Sequence, residues 1–553
     1  MHRPLFNLIV LILVFFSNTF SQDYSKVVLD NPVKIPITLS GSFAEPRTNH
    51  FHSGIDIRIG GKIGQRVYSP NDGYVSRIKV QAFGGGKNLY ITHNNGYTTV
   101  YMHLDSYSPA IDKYVKEYQY KNKVYEFDIS LQREDIKIKR GDLIAFAGNS
   151  GSSGGPHLHY EIRDTRTQEI INPLFFGLNH IDNNPPIINQ IRVLPQGKNY
   201  IVNSSNKSNG IRNNDTITID GDFYLGIYAY DRSKASTLRN GVYDYKLYLD
   251  EELFWELKID KFSFDISRYI NACIDYNYYS ENGVRFLITK KKPNNRFPYF
   301  KTYSNNGIVK FKHNEIYKLR YELKDALGNT TNFVFYAKNS GKTFQEEGRS
   351  YAKELHYDRD NNYSYNGISV NVPKNSLYED SKLYFNVNVD SSYYIYINSP
   401  LHNSMKISFP LPEISDKLIS KLIIAKKNNK SLTYIGNSKT KTYIYTNTKT
   451  YGNMILALDT IAPSVYSLSI DKTNKLKPNA KTIDFKIIDD LSGISSYNGF
   501  INGNWVLFEY DGKNHRLYYT IDSNHLNQLE NTIEIHLIDR VGNKTQKTYY
   551  LSK

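Results

Sequence analysis

Six of the chain's 14 histidines, His50, His52, His93, His103, His157 and His159, fall between residues 50 and 159. Three strings carry most of them: His52-Ser53-Gly54-Ile55-Asp56, Tyr101-Met102-His103-Leu104, and Gly155-Pro156-His157-Leu158-His159-Tyr160-Glu161. Imidazole and carboxylate are the donors that a hydrolytic zinc site uses. Three protein ligands hold the ion and the fourth position stays open for water. The ion lowers the pKa of that water and polarises a carbonyl. Thiolates are unnecessary, which suits a chain whose single cysteine is Cys273. His157 and His159 are two apart, so on a strand both emerge on one face. One can bind a metal while the other points at the same reacting centre. Glu161 shares that face and can orient a ligand through a hydrogen bond. Gly54 lets the backbone between His52 and Asp56 turn tightly, so that both side chains converge. Alone, His-x-His and His-x-x-x-Asp are weak signals; their flanking residues, order and separation of about a hundred residues strengthen them.

These residues need a rigid support, and the surrounding sequence predicts strands. Gly73–Val80, Lys87–His93, Thr98–His103, Gly141–Ala147 and His157–Ile162 have strand patterns. Asn94-Asn95-Gly96, the Gly84–Gly86 run and the Gly148–Gly155 stretch supply the turns between them. A tyrosine-rich insertion, about residues 106–139, separates two strands and is expected to form a hairpin or short helix beside the site. Residues 30–180 make one folded unit on this reading. His93 is expected to be structural and His50 to line the groove.

The strings Phe51-His52-Ser53-Gly54-Ile55-Asp56-Ile57, Tyr101-Met102-His103-Leu104 and Gly155–Glu161 resemble those of the lysostaphin/LytM-type metallopeptidases, metallopeptidase family twenty-three. Val67–Val75 and Gly141–Gly151 agree with the same pattern, so the resemblance covers residues about 40–175. It implies a small antiparallel β domain of the duplicated hybrid motif type with an open groove. It implies Zn2+ as cofactor, with His52, Asp56 and His159 as metal ligands and His103 and His157 as catalytic histidines. It also implies an endopeptidase acting on peptidoglycan stems or cross-bridges, with peptidoglycan as partner. The insertion before Gly141 departs from the family pattern and is expected to wall one end of the groove. No helix-borne His-Glu-x-x-His motif is present.

At 553 residues the chain is too long for one core. With 48 tyrosines and 27 phenylalanines it is biased towards strand, and a mainly β protein is expected. Beyond the peptidase unit we expect β-sandwich, Ig-like domains over 185–338 and 460–553, with a β-rich domain over 340–458. The two sandwiches carry matching phrases. One opens at Asp182-Asn183-Asn184-Pro185-Pro186 and closes at Asp325-Ala326-Leu327-Gly328-Asn329; the other opens at Asp459-Thr460-Ile461-Ala462-Pro463 and closes at Asp539-Arg540-Val541-Gly542-Asn543. Residues 1–21 read as a cleaved secretory signal: His2 and Arg3, an apolar run from Leu5 to Phe16, then Thr19 and Ser21 before the exit. The apolar run is short for a bilayer span, so no stable membrane span is expected after cleavage. The expected location is periplasmic or extracellular. The net charge of +15 is spread along the chain, and nucleic acid is not an expected partner. Envelope proteins are the partners expected of the C-terminal domains. Two other functions fit the same composition: a non-catalytic envelope scaffold that regulates wall hydrolases, and a secreted peptidase acting on protein. All three ligand positions and both catalytic positions are filled, which argues for an enzyme.

Overall fold

A computed structural model describes Tyr24 and residues 27–552, apart from 206–207, 234–236, 313–314, 345–349, 430 and 523. The signal-peptide expectation for 1–21 lies outside the described residues. Strand takes 48% of the chain and helix 9%, so the mainly β expectation holds. Among the described residues no helix is long and apolar enough to cross a membrane.

The N-terminal unit is an antiparallel sheet running Leu39–Gly41, Ile55–Arg58, His157–Asp164, Tyr97–Tyr107, Lys87–His93, Gly73–Val80. Alternation explains its faces. Ile55, Ile57, Leu158, Tyr160 and Ile162 are fully buried on the core side. Asp56, His157 and His159, interleaved with them, take the other face. Register then does the positioning: His159 pairs with Asp56 on one side and with Met102 on the other.

The strand expected to end at His103 continues to Tyr107. It does so through an irregularity at His103, whose φ is +60°. Leu143–Ala147 pairs with this far end and with Gln65–Tyr68. The register slips between Phe146 and Ala147, opposite Ser106 and Leu104. A left-handed conformation at a residue with a side chain costs of order 1 kcal/mol and is held only by its surroundings. Here the His103 N–H donates to Gly85 O at 2.8 Å.

Gly54 is required for a different reason from the one read in the sequence. Its φ is not in the left-handed region. A Cβ there would come within 2.4 Å of Tyr160 O and 3.0 Å of His159 Nε2. The glycine permits close approach of the neighbouring strand rather than a tight turn.

The insertion forms the helix Pro109–Asn122 and the strand Phe127–Ser130, which pairs with Gly73–Val80. Its helix carries Tyr120 against Trp505 and His525 of the C-terminal domain. The insertion is thus a bracket for a distant part of the chain.

Residues 187–339 form a five-stranded and a six-stranded sheet. Their boundary with the peptidase unit is packed: Ile170–Ile171 pairs with Lys261–Phe262, and Phe51 stacks on Phe297 with ring centroids 4.8 Å apart. Cys273 lies buried in this region, its thiol pushed up to about 12 by burial. Residues 353–458 form a six-stranded and a five-stranded sheet around a separate core that includes Ile395, Ile407 and Met454. Residues 464–552 form two four-stranded sheets, and their core is continuous with that of the peptidase unit. The domains therefore do not string out in line. The last returns to the first.

Lys87 and Glu509 join these two ends, with Nζ and Oε2 2.8 Å apart. Burial would lower the Lys87 pKa, but Glu509 outweighs it and holds Lys87 well above its ordinary 10.5. Burial would raise Glu509, but Lys87 outweighs it and holds Glu509 below its ordinary 4.5. The carboxylate's contribution is present above about pH 4.5 and is lost as pH falls through its lowered folded value. The ammonium's is present below about pH 10.5 and is lost as pH rises through its raised one. Glu509→Gln should therefore lower urea stability at pH 7 by about 3 kcal/mol, because it leaves Lys87 buried without a counter-charge. It should also flatten the acid limb of stability below pH 4.5. An unchanged urea midpoint would show that the pair does not hold the two ends together.

Candidate metal centre

His52 Nε2, Asp56 Oδ1 and His159 Nδ1 converge. The three separations are 3.1 Å (His52 to Asp56), 3.1 Å (His52 to His159) and 2.9 Å (His159 to Asp56). All three residues are buried.

The atoms around them decide what the converging atoms are. His52 Nδ1 donates to Ser42 O at 2.7 Å, which leaves Nε2 with its lone pair. His159 Nε2 donates to Glu161 Oε1 at 3.0 Å, which leaves Nδ1 with its lone pair. Asp56 Oδ2 accepts from Arg47 at 2.8 Å, and Oδ1 faces the imidazoles. Three electron pairs thus point at one another in a buried place, an arrangement that only a positive charge between them relieves. The electrostatics agree. Burial would lower the His159 pKa, yet hydrogen bonds to Asp56 and Glu161 raise it to about 9. Against burial, His52, His157 and His159 hold the Asp56 carboxyl well below its usual range.

Spacing supplies the fit test for a metal. Ligands at 2.0–2.1 Å in a tetrahedron stand about 3.3 Å apart. The observed separations of 2.9–3.1 Å are close to that. Two imidazoles and one carboxylate are a donor set for a borderline-soft divalent ion.

The remaining two histidines stand beside this triad. The His103 ring is 4.9 Å from that of His157 and 6.1 Å from that of His159, centroid to centroid. His103 Nδ1 donates to Ser150 O at 2.9 Å, and His157 Nδ1 donates to Gly155 O at 2.8 Å. Each ring is fixed through Nδ1 to the backbone of one loop and presents Nε2. His157 Nε2 lies 3.4 Å from Asp56 Oδ1. Burial, then the neighbouring His159 and His157, push the His103 pKa down to about 3, so it is neutral and able to accept a proton.

The loop that orients both rings is itself held from far away. Lys513 Nζ donates to Asn149 O, and to Ser153 O at 2.9 Å. The C-terminal domain thus buttresses the loop carrying Ser150 and Gly155. Nothing in the sequence announced Lys513, because 360 residues separate it from Ser153. Arg47, the Glu45 carboxylate 2.6 Å from it, Ser42 and Arg163 were equally illegible as site residues, since none belongs to a spacing motif. Glu161 was legible, and it is fully buried on the metal-facing strand. Burial would raise its pKa, but Arg163 and His159 hold it at about 2.

His50 is exposed and bonds Thr48 O through Nδ1, away from the triad. His93 is buried, with Nδ1 on Asp72 O and Nε2 on Thr99 Oγ1.

Glu161→Gln should weaken metal affinity 10- to 100-fold while the fold persists, because the carboxylate that fixes the His159 tautomer is lost. Competition against a chromophoric chelator reads this directly, and an unchanged affinity would remove Glu161 from the account.

A β scaffold bearing two imidazoles, one carboxylate and two backbone-tethered histidines defines a metallopeptidase type of centre. Residues 50–123 match the model of Peptidase family M23, and the chain accordingly carries a domain of that family. Residues 352–459 match a Zu5-like domain, which covers the separately cored middle unit. An uncharacterized metalloprotease of Haemophilus influenzae is 29% identical over 145 residues, covering 26% of this chain and 25% of its own. Peptidoglycan DD-endopeptidase ShyB of Vibrio cholerae is 35% identical over 111 residues, 20% of each chain. DD-carboxypeptidase/endopeptidase Mpg of Neisseria meningitidis is 31% identical over 116 residues, 21% of each chain. The chain thus spans about a fifth to a quarter of the length of the relatives it matches.

Proposed function

We propose that the protein is a zinc-dependent endopeptidase that hydrolyses peptide bonds in peptidoglycan stems or cross-bridges, for remodelling or lysis of the wall. The observation that carries this reading is the convergence of three lone-pair atoms beside two further histidines held ready for proton transfer. His52, Asp56 and His159 would hold Zn2+. When bound, the ion supplies Lewis acidity, polarising a peptide carbonyl and acidifying water. His103, neutral and fixed through Nδ1, takes up a proton at Nε2 as water adds to the carbonyl. His103 then returns that proton to the leaving amine, and His157, fixed in the same way, donates a hydrogen bond to the oxyanion when it carries a proton at Nε2 as well. Glu161 and Arg47 keep His159 and Asp56 in orientation throughout.

The name of the Vibrio cholerae relative, a peptidoglycan DD-endopeptidase, supports the substrate class. We also propose export, on the strength of the apolar run between Leu5 and Phe16, to the periplasm or the cell exterior.

The test offers zinc-loaded protein two substrates, purified sacculi and casein. Soluble muropeptides, and conversion of cross-linked dimers to monomers by mass spectrometry, are expected with sacculi. Cleavage of casein with sacculi left intact would replace this reading with a protein-directed peptidase. Binding to sacculi without turnover would replace it with a scaffold.

A further inference from the structure

The Asp-x-x-Gly-Asn phrases that close the two sandwiches play no part in the peptidase chemistry. In the structure each belongs to a carboxylate triad. Asp182, Asp231 and Asp325 bring one carboxylate oxygen each within 4.8 Å of one another, and Asp459, Asp489 and Asp539 do the same in the last domain. The two triads are built alike. Asn329 Nδ2 donates to Asp325 Oδ2 at 2.7 Å and to Asp182 O at 3.0 Å. Asn543 Nδ2 donates to Asp539 Oδ2 at 2.6 Å and to Asp459 O at 2.9 Å. The N–H groups of Asn329 and Asn543 each donate at 2.8 Å to Oδ1 of Asp325 and Asp539 respectively. The turns thus aim one carboxylate at another that enters from the linker.

Acidic residues can gather without a ligand, so a second observation matters. Asn240 is 5% exposed, and its Oδ1 has no hydrogen-bond partner. It lines the same cavity, of about 30 Å³, as Asp182, Asp231 and Asp325. A buried amide oxygen without a donor, in the lining of the cavity that holds three carboxylates, is a candidate fourth hard ligand. In the other triad Ser492 is 1% exposed, its N–H donates to Asp459 Oδ2 at 3.0 Å, and its Oγ has no partner. The charges repel in both places. Burial, then Asp182 and Asp325, push the Asp231 carboxyl up to about 7, and burial with Asp459 and Asp539 raises that of Asp489.

We propose that the two triads are divalent-cation sites and that calcium is the ion they take. All the donors are oxygens, three of them carboxylates, and calcium accepts six to eight such ligands in irregular geometry. Magnesium demands a regular octahedron and keeps several waters, which suits a cramped cavity poorly. Both sites lie at domain seams. The first cavity is also lined by Ser42, Asn172 and His180 of the peptidase unit. Ser42 Oγ accepts from Gly241 N–H at 2.8 Å, while Ser42 O accepts from His52 Nδ1 at 2.7 Å. Calcium at this seam would stiffen the backbone on which a ligand of the catalytic centre rests. The second site clamps the start of the last sandwich, whose return to the peptidase unit buttresses the catalytic loop.

The experiment uses the full-length, zinc-loaded protein and calcium itself. After equilibrium dialysis at millimolar calcium, elemental analysis should find two calcium ions per chain. Asp231→Asn and Asp489→Asn should each bind one, and the double variant none. Calcium should raise the melting temperature of the wild type and leave the double variant unmoved. In calcium-free buffer the asparagine variants should melt at or above the wild type, since like-charge repulsion is relieved; this also shows that they fold. No calcium on the wild type, or two ions unaffected by either substitution, would overturn the proposal. One ion, lost in a single variant only, would overturn it for the other triad.

Discussion

His159→Ala should abolish both metal retention and hydrolysis of sacculi, with turnover falling by about four orders of magnitude or more. Two effects combine at this position. Removing one of three ligands leaves His52 and Asp56 to hold an ion that needs three protein donors in a hydrolytic site. It also leaves Glu161, fully buried beside Arg163, without the imidazole it orients. The substitution therefore tests ligand identity and is not a neutral deletion. Metal content and sacculus digestion should be measured on the same sample. Retention of stoichiometric zinc by the variant would refute the ligand assignment. Activity surviving without zinc would refute the mechanism as well.

His103→Ala should behave in the opposite way towards the metal. It should keep wild-type zinc content and lose about 10²- to 10⁴-fold in kcat, the usual worth of a positioned proton acceptor. The same is expected of His157→Ala, with a smaller loss if its part is mainly to stabilise the oxyanion. The KM for soluble muropeptides should move little, because neither ring is asked to bind the ground state. The positive φ of His103 adds a second consequence. Alanine in a left-handed conformation is strained, so the variant should also lose up to about 1 kcal/mol of stability. His103→Asn separates the effects: asparagine tolerates that backbone, so stability should recover while kcat does not. Loss of zinc from His103→Ala would move this residue into the ligand set.

How much of this was legible in the sequence follows from the physics of each feature. Period-two alternation and turn glycines revealed the strands Gly73–Val80 and Lys87–His93 with their observed bounds. The mainly β class was legible in the abundance of tyrosine and phenylalanine. The His-x-His spacing was legible as one face of one strand. Neighbouring strands were not, since register is a property of pairing, and only the structure sets Asp56 beside His159. The bulge at His103 had no local signature, because its cause is the slip opposite Phe146 and Ala147. Gly54 was read as a turn residue and is a close-approach residue; the two needs look identical in a string of letters. The insertion was read as a wall for the groove. Its Tyr120 meets Trp505 and His525, contacts that no local pattern encodes. The return of the last domain through Lys87, Glu509 and Lys513 depends on pairings more than 350 residues apart.

The twin Asp-x-x-Gly-Asn phrases mark the boundary of what spacing can say. They were legible as matching phrases that close the two sandwiches. That each turn faces an aspartate from the preceding linker became visible only in three dimensions.

The central claim is that His52, Asp56 and His159 hold the metal of a hydrolytic centre. Anomalous diffraction from crystals of the zinc-loaded full-length protein, recorded on both sides of the zinc edge, tests it most directly. One zinc peak is expected, at about 2.0–2.2 Å from His52 Nε2, Asp56 Oδ1 and His159 Nδ1, with a fourth position facing His103 and His157. A peak bound elsewhere, or no peak in protein that still digests sacculi, would contradict it.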